Sequence, residues 1–439
     1  MSMEKLNAMN GAVCPCGRPH RFTADLVIGK GVLTQLPEYI RKHGGTKVFV
    51  LTDINTYKAA GETVCEILQQ TQIPYAGYTF PQKSLEPDEH SVGSAVMHYD
   101  ASCDLIIGVG SGVINDIGKI LSNLTGKPYI IVGTAPSMDG YASASSSMTR
   151  DGLKISLPSR SADVIIGDTD ILCNAPLHMM KAGLGDMLAK YVSICEWRIS
   201  HLITGEYYCE DVAQLIRSAL KRCTENAAGL LRREEQAVQA VFEGLVIGGV
   251  AMNYAGLSRP ASGVEHYISH VLDMRAVEFG TPMDLHGIQC AIGTLIAAGL
   301  YETIKTVTPD RDKALAHAAA FDYTAWQQAL RQLLGKGAES MIALEEREGK
   351  YDVAAHTHRL ETILDNWDTI LQIIDEEIPS LQTLNAIMDA IDAPKTLAQI
   401  GIDEDLLSTI FRATKDIRDK YVLSRLAWDL GIEEELLDH

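Results

Sequence analysis

The sequence is short of basic residues: 38 Lys and Arg stand against 57 Asp and Glu, which gives a formal net charge of −19 at pH 7. So acidic a surface repels phosphate backbones, which excludes a broad platform for nucleic acid. An anionic ligand must therefore be bound by local cations, by helix dipoles or by a metal ion.

The sequence also lacks a disulfide pattern. Its nine cysteines are odd in number and scattered, and several lie inside apolar runs, as is typical of reduced thiols. Residues 1–20 contain no apolar stretch of the kind found in signal peptides, and we find no later apolar run long enough to cross a bilayer. We expect a soluble, cytoplasmic protein with no membrane partner.

No tract of biased composition and no internal repeat is present, and a content of 46% hydrophobic and 22% charged residues excludes a disordered or fibrous protein. A chain of 439 residues is longer than one hydrophobic core usually serves. Two domains are therefore predicted.

Residues 24–172 alternate short apolar runs with helix-patterned stretches. Six runs are rich in β-branched residues and uninterrupted, as expected of strands buried on both faces: ADLVIG, KVFVLTD, IPYAGYTF, CDLIIGVG, PYIIVGTA and ADVIIGD. This alternation predicts a doubly wound, Rossmann-like parallel sheet. From Asn174 onward every patterned stretch has helical periodicity. We predict an α/β domain over residues 1–173 and an all-α domain over residues 174–439.

A glycine-rich turn links a predicted strand to a helix in CDLIIGVGSGVINDIGKIL, with Gly108, Gly110 and Gly112. Glycines let a backbone approach a pyrophosphate, and a helix N-terminus donates amides to it. Asp53 ends the preceding KVFVLTD strand, where its carboxylate can bond an adenine ribose. In the usual Rossmann fingerprint the acid follows the glycines instead. The turn is either a dinucleotide site of a different lineage or a close helix–sheet contact only.

A polar loop, PSMDGYASASSSM, follows the strand PYIIVGTA. Ligands of parallel sheets bind at the C-terminal edge that this loop leaves. Thr134, Ser137 and Ser143 can bond a nicotinamide or ribose, and Asp139 can hold a substrate hydroxyl. The alternative is a solvated surface loop, since Ser and Asp are ordinary turn residues.

Candidate metal ligands lie in three helical segments: Asp186 in KAGLGDMLAKY, His266 and His270 in SGVEHYISHVLDM, and His286 in DLHGIQC. The spacing of His266 and His270 places both rings on one helix face. One Asp with two His suits a divalent ion that keeps open positions for substrate.

Two further patterns involve residues that can cap a helix or bind a metal. Ser262 and Glu265 predict a capping box at the start of the helix that carries the histidine pair. Cys14, Cys16 and His20 fall short of a closed four-ligand zinc site, so we interpret the two cysteines as reduced surface residues, with metal binding as the alternative.

Five motifs in this order, GVGSGVIND, TAPSMDGYAS, GLGDMLAKY, SRPASGVEHYISH and LHGIQC, resemble those of the bacterial sn-glycerol-1-phosphate dehydrogenases. That family belongs to the superfamily of iron-containing alcohol dehydrogenases, glycerol dehydrogenase and 3-dehydroquinate synthase. The resemblance covers roughly residues 25–300. It implies a dehydroquinate synthase-like fold, with an α/β N-terminal domain and an all-α C-terminal domain.

The resemblance also implies which residues form the site. The ligands of the metal, which would be nickel, zinc or iron, are Asp186, His266 and His286. The residues in contact with substrate are Asp139, Asp186 and His270, with Asp139 and His270 in catalysis. Arg259, in SRPASG, is our own candidate for a substrate phosphate, because few other cations lie nearby in the sequence.

The cofactor implied by the resemblance is NAD(H) or NADP(H). Its predicted contacts are Asp53, Gly110, Ser111, Gly112, Val113, Ile114, Asn115, Asp116, Thr134, Ala135, Pro136, Ser137 and Ser143. A carboxylate at residue 53 repels a ribose 2′-phosphate, so we predict a preference for NAD.

The implied activity is the reversible, metal-assisted reduction of dihydroxyacetone phosphate to sn-glycerol 1-phosphate, a step of phospholipid metabolism, by a homodimer. Three alternatives stay open at this point. They are a glycerol dehydrogenase, a lyase like 3-dehydroquinate synthase, and a dinucleotide-sensing module without catalysis. The lyase pattern calls for a glutamate ligand and a Gly-Gly-Lys after the loop aspartate, whereas this chain has Asp186 and MDGYASASSSM.

Overall fold

The structure is a computed structural model that describes residues 2–437. The chain forms two compact units, the first from residues up to 187 together with 214–257, and the second from residues 188–213 together with those from 258 onward. These units differ from a division at residue 173, because a helix over residues 235–255 belongs to the first unit. The division into folding domains at residue 173 stays a prediction.

Eight strands are present among the described residues: β1 (Asp25–Gly29), β2 (Val48–Asp53), β3 (Tyr75–Phe80), β4 (Leu105–Gly110), β5 (Tyr129–Gly133), β6 (Ser145–Arg150), β7 (Leu153–Pro158) and β8 (Val164–Asp168). Six of them form one sheet in the order β1-β8-β5-β4-β2-β3, with every neighbouring pair parallel. Each of the six predicted apolar runs contains one of these strands. The parallel sheet of the predicted fold class is confirmed.

The helices of the first half are α1 (Ser2–Met9), α2 (Leu36–Lys42), α3 (Ile54–Thr56), α4 (Glu62–Gln70), α5 (Glu89–His98), α6 (Gly112–Thr125), α7 (Thr169–Leu172), α8 (Leu177–Thr204) and α9 (Glu210–Glu225). Those that follow are α10 (Glu235–Ala255), α11 (Val264–Phe279), α12 (His286–Ile304), α13 (Arg311–Ala319), α14 (Tyr323–Leu334), α15 (Ala338–Glu348), α16 (Val353–Asp365), α17 (Trp367–Glu377), α18 (Leu381–Ala390), α19 (Leu407–Thr414), α20 (Leu423–Leu430) and α21 (Glu433–Leu437). The described residues after Asn174 contain no strand, as the helical periodicity predicts.

Helix α10 packs directly on the central strands of the sheet. A Cβ atom added at Gly133 would lie 2.8 Å from the ring of Phe242, and one at Gly167 would lie 2.2 Å from it. The two glycines therefore make room for this aromatic ring on β5 and β8. The contact explains why α10 belongs to the same compact unit as the sheet.

The order of the strands creates a topological switch point. β2 lies between β3 and β4, so the chain builds the sheet outward on one side of β2 and then on the other. Leu51 of β2 pairs with Gly108 of β4, and Gly110 of β4 pairs with Gly133 of β5. The segments that follow these three strands therefore start side by side, at the edge where doubly wound sheets bind ligands.

Part of the predicted polar loop is a hairpin. β6 and β7 pair antiparallel around Asp151 and Gly152, whose φ angles are +53° and +74°. Two consecutive positive φ angles are typical of a type I′ turn, and Asp-Gly is a preferred sequence for it. The loop proper therefore ends before Ser145.

Two helices correct the expectation that no apolar run could cross a bilayer. α10 and α12 are long and apolar enough by length and composition, but 83% and 72% of their most apolar windows are buried inside the structure. Core helices of globular proteins pass the same test. Among the described residues none of the nine cysteines forms a disulfide.

Candidate active site

The glycines of the turn differ in role: two are needed for packing, and the third leaves the helix N-terminus unobstructed. A Cβ atom at Gly108 would lie 2.3 Å from the hydroxyl of Tyr129, and one at Gly110 would lie 2.5 Å from Cβ of Ile114. These two glycines are therefore required by packing. Gly112, the first residue of α6, meets no atom closer than ordinary van der Waals distance, so its backbone opens the N-terminus of the helix without a packing need.

Asp53 is fixed at the carboxyl end of β2 by a capping box. Its Oδ1 accepts hydrogen bonds from the backbone N–H groups of Asn55 and Thr56, and its own N–H donates to the Thr56 hydroxyl. The cap leaves Oδ2 as the remaining acceptor of the carboxylate. Because β2 and β4 are neighbours, the acid and the glycine turn lie side by side although the acid comes first in the chain. The reversed order of the fingerprint thus follows from the strand order.

The polar loop is held at two adjacent residues by hydrogen bonds to two helices. The backbone N–H of Asp139 donates to Oδ2 of Asp186 at 2.9 Å. The carbonyl oxygen of Gly140 accepts from Nδ2 of Asn115 at 3.0 Å and from Nζ of Lys119 at 3.2 Å. The first bond links the loop to the helix that carries the predicted aspartate ligand.

Burial excludes the interpretation as a solvated loop. The three predicted hydroxyl residues are exposed by less than a tenth: Thr134, Ser137 and Ser143. The hydroxyls of Ser111 and Ser137 are 2.5 Å apart, and Nζ of Lys119 donates to Ser143. Asp116 forms an ion pair of 3.0 Å with the same lysine. Several residues predicted to line a dinucleotide therefore also hold the loop in place.

The backbones of the loop and of α8 are in direct contact. A Cβ atom added at Gly183 would lie 1.8 Å from the carbonyl oxygen of Pro136. The neighbouring carbonyl of Ala135 accepts the hydroxyl of Tyr141 at 2.7 Å. The glycine in GLGDMLAKY thus permits the close approach, one turn before Asp186.

Three histidines meet in the second unit. The ring centroid of His286 lies 5.0 Å from that of His266 and 5.7 Å from that of His270. Nδ1 of His266 lies 2.8 Å from Oε1 of Glu265, and Nδ1 of His286 lies 2.9 Å from the hydroxyl of Ser269. Both rings are thus held at Nδ1, as is common for histidines that bind a metal through Nε2. The donor set fits a divalent ion.

The comparisons with known proteins agree with this geometry. Residues 27–176 match the family model of iron-containing alcohol dehydrogenases. A glycerol-1-phosphate dehydrogenase [NAD(P)+] from Halalkalibacterium halodurans is 35% identical over 294 residues, which cover 66% of this chain and 74% of that protein. The chain belongs to the glycerol-1-phosphate dehydrogenase family. A relative of the same name from Bacillus subtilis is 30% identical over 303 residues, covering 67% and 77% of the two chains.

Several solved structures share the fold of this protein. Glycerol dehydrogenase from Schizosaccharomyces pombe has a TM-score of 0.58 at 18% identity, covering 95% of this chain and 91% of that one. An iron-containing alcohol dehydrogenase from Thermococcus thioreducens has a TM-score of 0.60 at 13% identity, covering 95% and 98%. The predicted fold class is confirmed.

Glu265 has a different role from the predicted one. Helix α11 of this family member starts at Val264 with Gly263 as its N-cap, so the capping box with Ser262 is wrong. The carboxylate is fully buried, and its Oε1 accepts the N–H of Gly263 besides contacting the ring of His266. A carboxylate on the far nitrogen of a ligating histidine fixes the ring and raises its basicity.

Replacing Glu265 by Gln tests this role. The amide keeps an acceptor for the imidazole but removes the negative charge. We therefore expect metal affinity to fall about 10-fold to 100-fold. Titration of the metal-free protein with Zn²⁺ measures the effect, and Glu302→Gln, a surface carboxylate of α12, is the matched control. An unchanged Kd would contradict the assignment.

Sequence reasoning missed Cys290. Its Sγ lies 3.5 Å from Nε2 of His286, and its thiol, His266 and His286 offer ligand atoms within 4.8 Å of one another. Burial by itself raises the pKa of this thiol, but the two imidazoles reverse the effect and lower it. The signal in the sequence was the spacing of four residues from His286, which places both side chains on one face of α12.

The structure places the cations differently from the sequence prediction. Nε of Arg259 donates to both carboxylate oxygens of Glu206, and Nη2 donates to Ser200 at 2.9 Å. The charge of this buried guanidinium is therefore already paired. Lys420 donates to the carbonyl of Ser262 at 3.0 Å, and its Nζ lies 5.7 Å from the ring centroid of Tyr267.

A cluster of positive charge faces the third histidine. Burial lowers the pKa of His270 well below its usual value, and the nearby charges of Arg418 and Lys420 lower it further. Burial also lowers the pKa of Lys420 to about 7, helped by Arg259 and Arg418. In a chain with a net charge of −19, this group of cations is a candidate site for an anion, although Glu265 and Glu206 oppose its effect on the pKa of Lys420.

Proposed function

We propose that the protein reduces dihydroxyacetone phosphate to sn-glycerol 1-phosphate with NAD(P)H, reversibly and with a bound divalent metal. The observation that carries this proposal is the arrangement of His266 and His286, whose rings are each held at Nδ1 by a neighbouring oxygen, as is common for histidines that bind a metal through Nε2. It occurs in a chain that is 35% identical to a curated glycerol-1-phosphate dehydrogenase.

The proposed metal ligands are Asp186, His266 and His286. Asp186 and His266 are buried, and the supporting bonds of both histidines fix their rings. A bound divalent ion supplies Lewis-acid polarisation of the substrate carbonyl. Oxygen and nitrogen ligands suit nickel, zinc and iron alike.

Asp139 and His270 are the proposed catalytic residues. The bond from the Asp139 amide to Asp186 fixes the loop that presents the Asp139 side chain to substrate. The lowered pKa of His270 keeps its imidazole neutral at neutral pH. A neutral ring can accept the hydroxyl proton when the alcohol is oxidised, and it passes a proton from solvent in the opposite direction.

The proposed dinucleotide site lies at the adjacent carboxyl ends of β2, β4 and β5, which carry Asp53, the turn at Gly112 and the buried hydroxyls of Thr134 and Ser137. A bound nicotinamide supplies the hydride. The switch point of a doubly wound sheet is the usual place for such a ligand.

Asp53→Ala tests the preference for NAD. The carboxylate accepts ribose hydroxyls and repels a 2′-phosphate, so we expect kcat/KM with NADPH to rise and kcat/KM with NADH to fall, each about 10-fold. Steady-state rates with both cofactors measure the ratio. The capping role of the same side chain requires a control of folding, for which circular dichroism of the variant suffices. An unchanged cofactor ratio would count against the proposal.

We assign the substrate phosphate to Lys420, with Arg418 beside it, in place of Arg259. Lys420 is charged only below its pKa of about 7. We therefore expect kcat/KM for dihydroxyacetone phosphate to fall as the pH rises through 7, because kcat/KM reports the free enzyme. In Lys420→Arg this fall should move to higher pH, and Lys420→Met should raise KM without a matching change for unphosphorylated dihydroxyacetone. A Lys420→Met enzyme with the wild-type KM would contradict the assignment.

The function itself is tested by oxidation of NADH with dihydroxyacetone phosphate, beside dihydroxyacetone, and by reduction of NAD⁺ with glycerol, each before and after EDTA and metal add-back. The proposal is supported if the phosphorylated ketone is turned over, EDTA abolishes this turnover and added metal restores it. Turnover of the unphosphorylated compounds alone identifies a glycerol dehydrogenase instead.

We also propose that the enzyme is a homodimer and that it is located in the cytoplasm.

A further inference from the structure

Three side chains of the types that bind metals, outside the proposed active site, meet in the first unit. The Sγ atoms of Cys14 and Cys16 and a ring nitrogen of His20 lie within 4.8 Å of one another. The prediction of surface cysteines is wrong for Cys14, which is 8% exposed, and His20 is only 1% exposed. The three residues are close in sequence, in the pattern CPCGRPH.

A tight backbone turn brings the residues together. The N–H of Gly17 donates to the carbonyl of Cys14 at 2.9 Å, and the N–H of Cys14 donates to the carbonyl of Arg18 at 3.4 Å. Gly17 has a φ of +81°, a conformation that favours glycine. The chain therefore turns directly after Cys16 and returns toward Cys14 with His20 following.

The imidazole is oriented for a ligand. Nδ1 of His20 lies 3.1 Å from the carbonyl oxygen of Tyr254, and since a carbonyl can only accept, Nδ1 carries the proton and Nε2 presents a lone pair. The ring also stacks on Tyr254 with centroids 5.1 Å apart. A backbone carbonyl on the far nitrogen is a common partner of a ligating histidine.

The distances agree with a shared metal ion. Nε2 of His20 lies 3.6 Å from Sγ of Cys16. In a tetrahedral zinc site, bonds of about 2.3 Å to sulfur and about 2.0 Å to nitrogen place these two ligand atoms about 3.5 Å apart. Two thiolates and one imidazole favour a borderline-soft ion over Mg²⁺ or Ca²⁺.

We propose that Cys14, Cys16 and His20 bind a structural zinc ion. A further side chain or a water molecule completes its coordination. The ion holds residues 14–20 in one turn, and this turn contacts the C-terminal end of α10 where His20 bonds the carbonyl of Tyr254 and Arg18 donates to the carbonyl of Ala255. It is separate from the metal of the proposed activity and takes no part in the reaction.

Metal content of the full-length protein tests the proposal. Loaded with Zn²⁺ and dialysed, the wild-type chain should hold about two zinc ions, and Cys16→Ser should hold about one while still reducing dihydroxyacetone phosphate. Cys65→Ser, a partly buried cysteine of α4, is the matched control and should keep both ions. Asp186→Asn should lose the other ion and keep the thiolate-bound one, so a failure of the proposed active site is distinguished from a failure of this site.

Cobalt provides a spectroscopic signature. Co²⁺ bound by thiolates gives a near-ultraviolet charge-transfer band, which should vanish in Cys16→Ser and persist in Cys290→Ser. The same wild-type protein should release one zinc ion to a colorimetric indicator when a mercurial blocks its thiols, a measurement that needs no variant to fold. A Cys16→Ser chain with the metal content of the wild type, or a wild type that releases no zinc to the mercurial, overturns the proposal. Serine replacements of the other cysteines, one at a time, identify any fourth protein ligand.

Discussion

Asp186→Asn should reduce kcat/KM for dihydroxyacetone phosphate about 1,000-fold, which corresponds to about 4 kcal/mol of lost transition-state stabilisation. The physical reason is the weaker binding of a divalent ion by a neutral amide. The fold should survive, because the amide oxygen of Asn can still accept the N–H of Asp139, as Oδ2 of the aspartate does.

The measurement combines NADH oxidation with the metal content of the same preparation. Asp170→Asn, at an exposed carboxylate of α7, is the control and should keep the activity and the metal of the wild type. If Asp186→Asn kept full turnover while its metal was lost, the metal mechanism would be wrong. Excess metal should restore part of the activity, since the two histidines remain.

Gly183→Ala should lower the free energy of unfolding by about 3 kcal/mol, at the upper end of what overpacking costs. The added methyl would lie 1.8 Å from the carbonyl oxygen of Pro136, so two backbones must separate. Activity should fall with stability, since the loop that starts at Pro136 carries Asp139. Thermal unfolding followed by circular dichroism measures the effect.

Gly93→Ala is the matched control. Gly93 is also inside a helix, α5, and no atom lies within 4 Å of an added Cβ. Alanine should therefore stabilise this helix by about 0.5–1 kcal/mol. If the free energy of unfolding falls for Gly183→Ala and rises for Gly93→Ala, the steric clash at residue 183 is separated from the general effect of alanine in a helix. Equal stabilisation at both would mean that α8 does not approach the loop as described.

Most of the fold could be predicted because its strands have a clear hydrophobic pattern in the sequence. β4, β5 and β8 are buried along their whole length, and buried parallel strands read as unbroken β-branched runs. The compact units could not be predicted, because they depend on the contact of Phe242 with Gly133 and Gly167. Such a contact joins residues far apart in sequence and leaves no periodic signal.

The sequence could indicate which side chains are candidate metal ligands, but it could not show the residues that hold those side chains in place. The spacing of His266 and His270 is a local helical signal, whereas the bond between Ser269 and His286 joins two helices. Arg259 has its charge paired by Glu206, which the sequence does not reveal. Glu265 matched the pattern of a capping box, but burial beside His266 decided its role.

The hydrogen bond between the Asp139 amide and Asp186 joins two binding events thermodynamically. The strength of this bond depends on how much negative charge remains on the Asp186 carboxylate, and a metal ion on that carboxylate withdraws charge from it. If Asp186 binds the metal as proposed, filling that site should therefore change the order of the loop that borders the proposed dinucleotide site. By reciprocity, a dinucleotide that orders the loop must change the metal affinity by the same factor. In the proposed site, the apparent affinity for the dinucleotide should then depend on the metal concentration.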